Sequence, residues 1–307
     1  MVLPNALIPW ITLLTTVCLG CGSPEEPPRW GFVGHEMAAR AAASTLPDDM
    51  PAFFLAADEQ FVFLAPEPDR WKDRSRPEMD QAWTYDHYID FENVPPGALD
   101  EPDRFAFLAA LYEVAPYGGR LERPERDAGF LPFRILELHQ RLVTEWRLWS
   151  EAPEGSERRQ WIEERIINDA GILGHYVTDG SQPHHTTIHF NGWDSGTANP
   201  ERFTSDRDFH SRFERFFVEA HVTQDDVDRR MTAELSSPPA DVRDAVFGFL
   251  YRTFAEVEAL YRLERDVGFS PDRAANRAAR DFTADRLAAG AEMLALLWWS
   301  AWLEGTG

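Results

Sequence analysis

The chain predicts an all-α fold: a single compact multi-helix domain whose chemistry-bearing side chains meet in a cleft between helices. Three observations predict it. Apolar residues recur at helical spacing, as in Phe247, Leu250, Tyr251, Phe254 and Val257, and no stretch shows convincing strand alternation. Two histidines, His175 and His210, stand four residues before a carboxylate, Asp179 and Glu214, so each pair lies on one helix face. With 307 residues, 44% hydrophobic, and 11 Trp and 21 Phe, the chain can bury one large aromatic core.

In chain order, the apolar run Ala6–Gly20 suits the core of a signal peptide and is too short to span a bilayer. Cys18-Leu19-Gly20-Cys21 resembles a lipoprotein cleavage site, with Cys21 as the lipidated residue. Residues 1–21 are therefore expected to be a leader. Residues 22–29, rich in Pro and Glu, form a solvated tether, and 30–307 form the domain. That places the protein outside the cytoplasm, periplasmic, surface-held or secreted, with membrane anchoring through Cys21.

Helices are expected over 35–46, 103–114, 132–149 and 157–179. The last has Ser156 as its cap and Gly180 just past its end. Gly171 and Gly174 on it suit close approach of another backbone. Further helices are expected over 206–221, 241–263 and 271–302, and turns at 93–100, 118–132, 191–205 and 236–240. No internal repeat appears.

The net charge of −22 excludes simple electrostatic binding of duplex DNA. Bound metal would reverse that sign locally. Lys72 is the only lysine, which reads as composition bias. The only cysteines are Cys18 and Cys21, so neither a disulfide nor a cysteine ligand serves the body of the chain.

The ordered series Asp69, His87, His175, Asp179, His185, His210, Glu214, preceded by Trp30 and His35, is the strongest chemical signal. All but Trp30 are first-choice zinc ligands. One such pair on a helix is usually a solvated or core pair; two pairs with His185 and His87 point to clustered metal, and clustered zinc to phosphate-ester hydrolysis. His184 and His185 are adjacent and point apart, so only one of the two is expected to reach the metal. His139, His189 and His221 lack ligand spacing and read as surface or core residues. Asp69 has rivals in Asp73 and Asp80. Trp193, with Phe190 and Phe203, is a candidate substrate rim or, equally, loop packing.

With these residues set out, the chain resembles the superfamily joining bacterial zinc-dependent phospholipases C to the fungal-type single-strand nucleases of the nuclease P-one type. The likeness runs from about Trp30 to Glu219. Trp-Gly-Phe-Val-Gly-His at Trp30–His35 looks like the nuclease N-terminus. Pro-Asp at Asp69, His-Tyr-Ile-Asp at His87–Asp90 and the stretch His175–His185 match the shared ligand motifs. Phe209–Glu214 looks like the phospholipase version, closing with Glu.

The resemblance implies three zincs. Asp69, His87, His175 and Asp179 would hold one. Trp30 through its backbone, His35 and a bridging Asp179 would hold a second, and His185, His210 and Glu214 a third, more open one. Asp69 would also orient the attacking water. In the family the tryptophan is the mature N-terminus; here Trp30 follows a tether, so an uncut chain would hold one or two zincs. The Gly-Gly-Asn segment of nucleases is missing, and Thr186-Thr187-Ile188 replaces the phospholipase Pro/Ala-x-Asn.

The expected function is zinc-dependent phosphodiester hydrolysis, phospholipase C-like, on a phospholipid. A single-strand nuclease or nucleotidase is the alternative, and a non-catalytic zinc-binding surface protein is the third reading. No protein partner is predicted.

Overall fold

The computed structural model describes residues 31–114, 121–232, 235 and 237–307, so the leader, the tether and Trp30 lie outside the described residues. Among the described residues every regular element is helical, as expected. The principal helices are α1 (Phe32–Ser44), α2 (Asp58–Leu64), α3 (Arg104–Val114), α4 (Leu131–Glu151), α5 (Glu157–Ser181), α6 (Val242–Phe254), α7 (Val257–Asp266) and α8 (Arg277–Thr306). No described helix is long and apolar enough to cross a membrane.

The core is a layer of α4, α5 and α8 lying along one another, with α1 and α2 packed across α5 and α8. Aromatic side chains fill it. Trp146, Trp298, Phe54 and Phe61 are fully buried in mutual ring contact, and the Trp298 indole donates to the Ala170 carbonyl at 3.1 Å. Burying such rings is worth roughly 2–3 kcal/mol each before conformational entropy is counted. Helix α8 begins where Asn276 Oδ1 accepts the Ala278 N–H at 2.9 Å.

Helix α5 begins as the sequence predicts, with Ser156 Oγ accepting from the Arg159 N–H at 3.2 Å. It ends later, at Ser181. Gly180 is not a left-handed terminator; it stays helical because it is a packing site. A Cβ there would stand 2.9 Å from Leu250 and 3.0 Å from Phe249. Gly171 plays the expected close-approach role, since a Cβ there would collide with Leu64 of α2.

Two other expectations change. The predicted helix 241–263 is two helices. At the end of α6 the Ala255 N–H bonds back to Tyr251 and the Glu256 N–H to Thr253 in a tightened turn, and α7 starts at Val257. The predicted helix 206–221 starts at Phe209 and contains a π-helical stretch, Arg212–Phe217. A widened turn of this kind is common at functional sites, and it holds Glu214.

Candidate metal centre

Six segments deliver ligand-type side chains to one region: α1 brings His35, the short helix Glu67–Arg70 brings Asp69, and the 3-10 turn Thr84–His87 brings His87. Helix α5 brings His175 and Asp179 one turn apart, and the 3-10 turn Pro183–Thr186 folds His185 back beside them. Phe209–Phe217 brings His210 and Glu214. All are buried except His210, which is partly open.

Three groups have ligand atoms within 4.8 Å of one another: His35, His175 and Asp179; Asp69, His87 and His175; and His185, His210 and Glu214. Asp179 is the hub. Its Oδ2 lies 2.9 Å from His87 Nδ1 and 3.2 Å from His175 Nε2, and its Oδ1 lies 3.5 Å from His35 Nε2 and 3.6 Å from His185 Nδ1. One carboxylate thus serves two neighbouring groups. Asp69 Oδ1 is 3.9 Å from His87 Nδ1 and 3.8 Å from His175 Nε2. In the third group His210 Nε2 is 2.8 Å and His185 Nε2 3.4 Å from Glu214 Oε2.

Backbone carbonyls fix which nitrogen faces inward. His175 Nδ1 donates to the Ala65 carbonyl at 2.8 Å, leaving the lone pair of Nε2 toward His87 and Asp179. His185 Nδ1 donates to the His87 carbonyl at 2.7 Å, leaving Nε2 toward His210 and Glu214. Such outer bonds orient metal-binding imidazoles. The Gln182 amide donates to Glu214 at 3.1 Å and its carbonyl oxygen accepts the His184 N–H, steadying the third group.

The donor set fits zinc. It has neutral imidazole nitrogens and carboxylate oxygens and no thiolate, a choice that favours zinc over calcium or magnesium. Both ring nitrogens of His35 and Oε1 of Glu214 are buried without a hydrogen bond, a costly condition that a cation relieves. The electrostatics agree. Burial and the neighbouring His175 push His35 down to about 3, so it is a neutral donor. Burial opposes charge on Glu214, yet His210 and His185 hold it down to about 2. Burial likewise opposes charge on Asp179, but His185 and His175 keep it well below the carboxylate range. His185 resists burial because Asp179 and Glu214 raise it to about 9. That imidazole substitutes for a missing positive charge.

Every predicted ligand among the described residues therefore meets its partners; Trp30 lies outside them. His184 points away from His185 into the rings of Phe209, Phe213 and Tyr261. His139 is a core residue bonded to Ser300 at 3.0 Å. Trp193 is held within its own loop. It stacks on His189 at 3.7 Å, touches Phe203 and Tyr261, and donates to the Ala198 carbonyl. The loop-packing account fits it better than a substrate rim.

Two residues escaped sequence reasoning. Lys72 is more than composition bias: one turn after Asp69, it brings the chain's one lysine to 2.9 Å from Asp69 Oδ1. Asp90 is buried with Oδ1 lacking a hydrogen bond. Burial, then Glu92 and Asp127, lift it well above the carboxylate range, while His185 pulls the other way. The available signal was its place three residues after His87, within the same short motif. No family model matches this chain, and no curated protein matches it.

Proposed function

We propose that this protein is a zinc-dependent hydrolase of phosphodiesters, phospholipase C-like in substrate. The observation that supports it most is Asp179, whose two oxygens face separate histidines in a buried cluster of three carboxylates and five imidazoles. An arrangement built only for structure would close one tetrahedral set rather than share a carboxylate between neighbouring ones. Asp69, His87, His175 and Asp179 would hold one ion. His35 and Asp179, with Trp30, would hold a second, and His185, His210 and Glu214 a third. Zinc in such a site supplies Lewis acidity toward phosphate oxygens and lowers the pKa of water to about 7.

The chain's own residues do the rest. Lys72 adds a positive charge beside Asp69. Asp69, engaged by Lys72, His87 and His175, is better placed as a ligand than as the group that orients water. Asp90 is the better proton-transfer group: its Oδ1 carries no hydrogen bond, and burial with Glu92 and Asp127 keeps its carboxyl in the protonated form that can donate to a leaving alkoxide. The partly open His210 marks the side where a phosphate group enters.

The test is elemental analysis of the exported protein together with turnover of phosphatidylcholine and of single-stranded DNA. The proposal expects about three zincs per chain and lipid hydrolysis abolished by chelator. Asp179→Asn should remove about two zincs and lower activity by more than the 10–100-fold typical of a group one layer out. Full activity in that variant would sink the bridging role. Cleavage of single-stranded DNA alone would move the assignment to a nuclease. Zinc without turnover of either would make it a binding protein.

A further inference from the structure

Three phenylalanines are exposed on elements that carry or flank residues of the candidate metal centre. Phe32 opens α1 and is 36% exposed, Phe63 on α2 is 65% exposed, and Phe216 in the π-helical stretch is 44% exposed. The Arg70 guanidinium lies 5.1 Å from the Phe32 ring and 5.5 Å from the Phe63 ring, joining the two. Arg215 lies 5.2 Å from the Phe216 ring. Its stem packs so closely on Gly31 that a Cβ there would stand 2.9 Å from Arg215 Cγ, which joins this pair to Phe32. Each group is next in sequence to a ligand: Phe32 lies one turn before His35, Arg70 follows Asp69, and Arg215 follows Glu214.

Both arginines of this face are paired. Arg70 pairs with Glu67 at 2.5 Å and Arg215 with Glu219 at 3.4 Å, all partly exposed. The face is aromatic and arginine-bearing, within a chain of net charge −22. A polyanion or a strongly anionic membrane would be repelled by the whole molecule. A zwitterionic lipid surface would not. It offers phosphates to the arginines, acyl and glycerol depth to the phenyl rings, and quaternary ammonium to the aromatic faces. The chain also enters the domain here, at Gly31. Nine residues, ten Cα steps, separate Gly31 from Cys21, a reach of at most about 35 Å, so an acyl chain on Cys21 would hold this face toward a bilayer.

We infer that Phe32, Phe63 and Phe216, with Arg70 and Arg215, form a docking surface for a zwitterionic phospholipid bilayer. The inference goes beyond the hydrolase reading and stands whether or not the zinc cluster turns over substrate.

The experiment uses the full chain with Cys18→Ser and Cys21→Ser, so that no acyl anchor contributes. A polarity-sensitive dye is placed at Phe63→Cys, at Phe216→Cys, or at the control Trp161→Cys. Trp161 is exposed on α5, fourteen residues before His175, about 21 Å along the helix. Phosphatidylcholine vesicles should shift the emission at 63 and 216 to the blue and leave 161 unchanged; phosphatidylglycerol vesicles should act more weakly. Separately, Phe63→Ser with Phe216→Ser should lower partition onto phosphatidylcholine about tenfold, with zinc content and hydrolysis of a water-soluble phosphodiester unchanged. Equal shifts at all three sites, no shift at 63, or a shift at 63 produced by single-stranded DNA and not by lipid would overturn the inference. Absence of zinc or of all turnover in the parent chain would refute the hydrolase reading and leave this result intact.

Discussion

Asp90 shows what one buried atom can decide. A carboxyl oxygen without a hydrogen bond in a dry site is expensive, and Asp90 Oδ1 is one, in the segment whose Ile89 N–H bonds the His185 carbonyl. The proposed hydrolysis gives that group a task, delivery of a proton to the leaving alkoxide. Asp90→Asn keeps the shape and removes the proton donor. It should lower turnover by about 10²–10⁴-fold while zinc content stays at the parent level. A loss of zinc in step with activity would instead make Asp90 a structural support. The sequence shows the ligands because metal chemistry restricts them to His, Asp and Glu at fixed spacings. It hides Asp90 and Lys72, since an acid or amine in a loop acquires meaning only from the groups that surround it.

At the scale of elements, the contact between α4 and α5 carries a second buried acid outside the metal cluster. Glu145 of α4 lies inside the protein and accepts from Arg165 at 2.8 Å, and Asp169 of α5 binds Arg141 at 2.7 Å. Burial, then the charge of Asp169, raises Glu145 from an ordinary 4.5 to about 7. The folded state thus binds this proton more tightly than the unfolded chain. The associated stability is fully present below pH 4.5 and is lost as pH rises through about 7. Glu145→Gln should flatten that decline and raise the melting temperature at pH 8 with little change at pH 4.5, read by thermal denaturation across pH. A parallel loss at every pH would show that Glu145 acts through packing alone.

The elements themselves were mostly legible. Long helices such as α4 and α5 announce themselves by period and cap. The break between α6 and α7 does not, because no proline or glycine marks Ala255 and Glu256. The π-helical turn at Arg212–Phe217 was equally invisible: the i, i+4 spacing of His210 and Glu214 predicts a shared face with or without it.

Across the whole molecule, the candidate metal centre draws on α1, α5 and the loops before and after α5, so a bound metal would couple stability to metal binding. In zinc-free protein the buried carboxylates face one another across imidazoles, and His185, raised to about 9 by Asp179 and Glu214, offsets part of their charge. Because that value lies above the 6.5 of a free histidine, its stabilising effect is complete below pH 6.5 and disappears as pH climbs through about 9. Glu214 behaves oppositely: held down to about 2, it contributes above its ordinary 4.5 and loses that contribution as pH falls toward 2. Zinc at a thousand times its dissociation constant adds about 4 kcal/mol per site, and each kcal/mol moves a domain of this size by about 2–4 °C. Chelation at pH 7.5 should therefore lower the melting temperature by about 10 °C or more. The gap between zinc-loaded and zinc-free protein should widen from pH 6.5 to 9, as the protonated His185 that replaces the ion is lost. Scanning fluorimetry with and without chelator at several pH values checks both claims. A melting temperature indifferent to zinc at every pH would mean that these eight side chains are satisfied by one another, and the metal centre would fail as an account of why they are there.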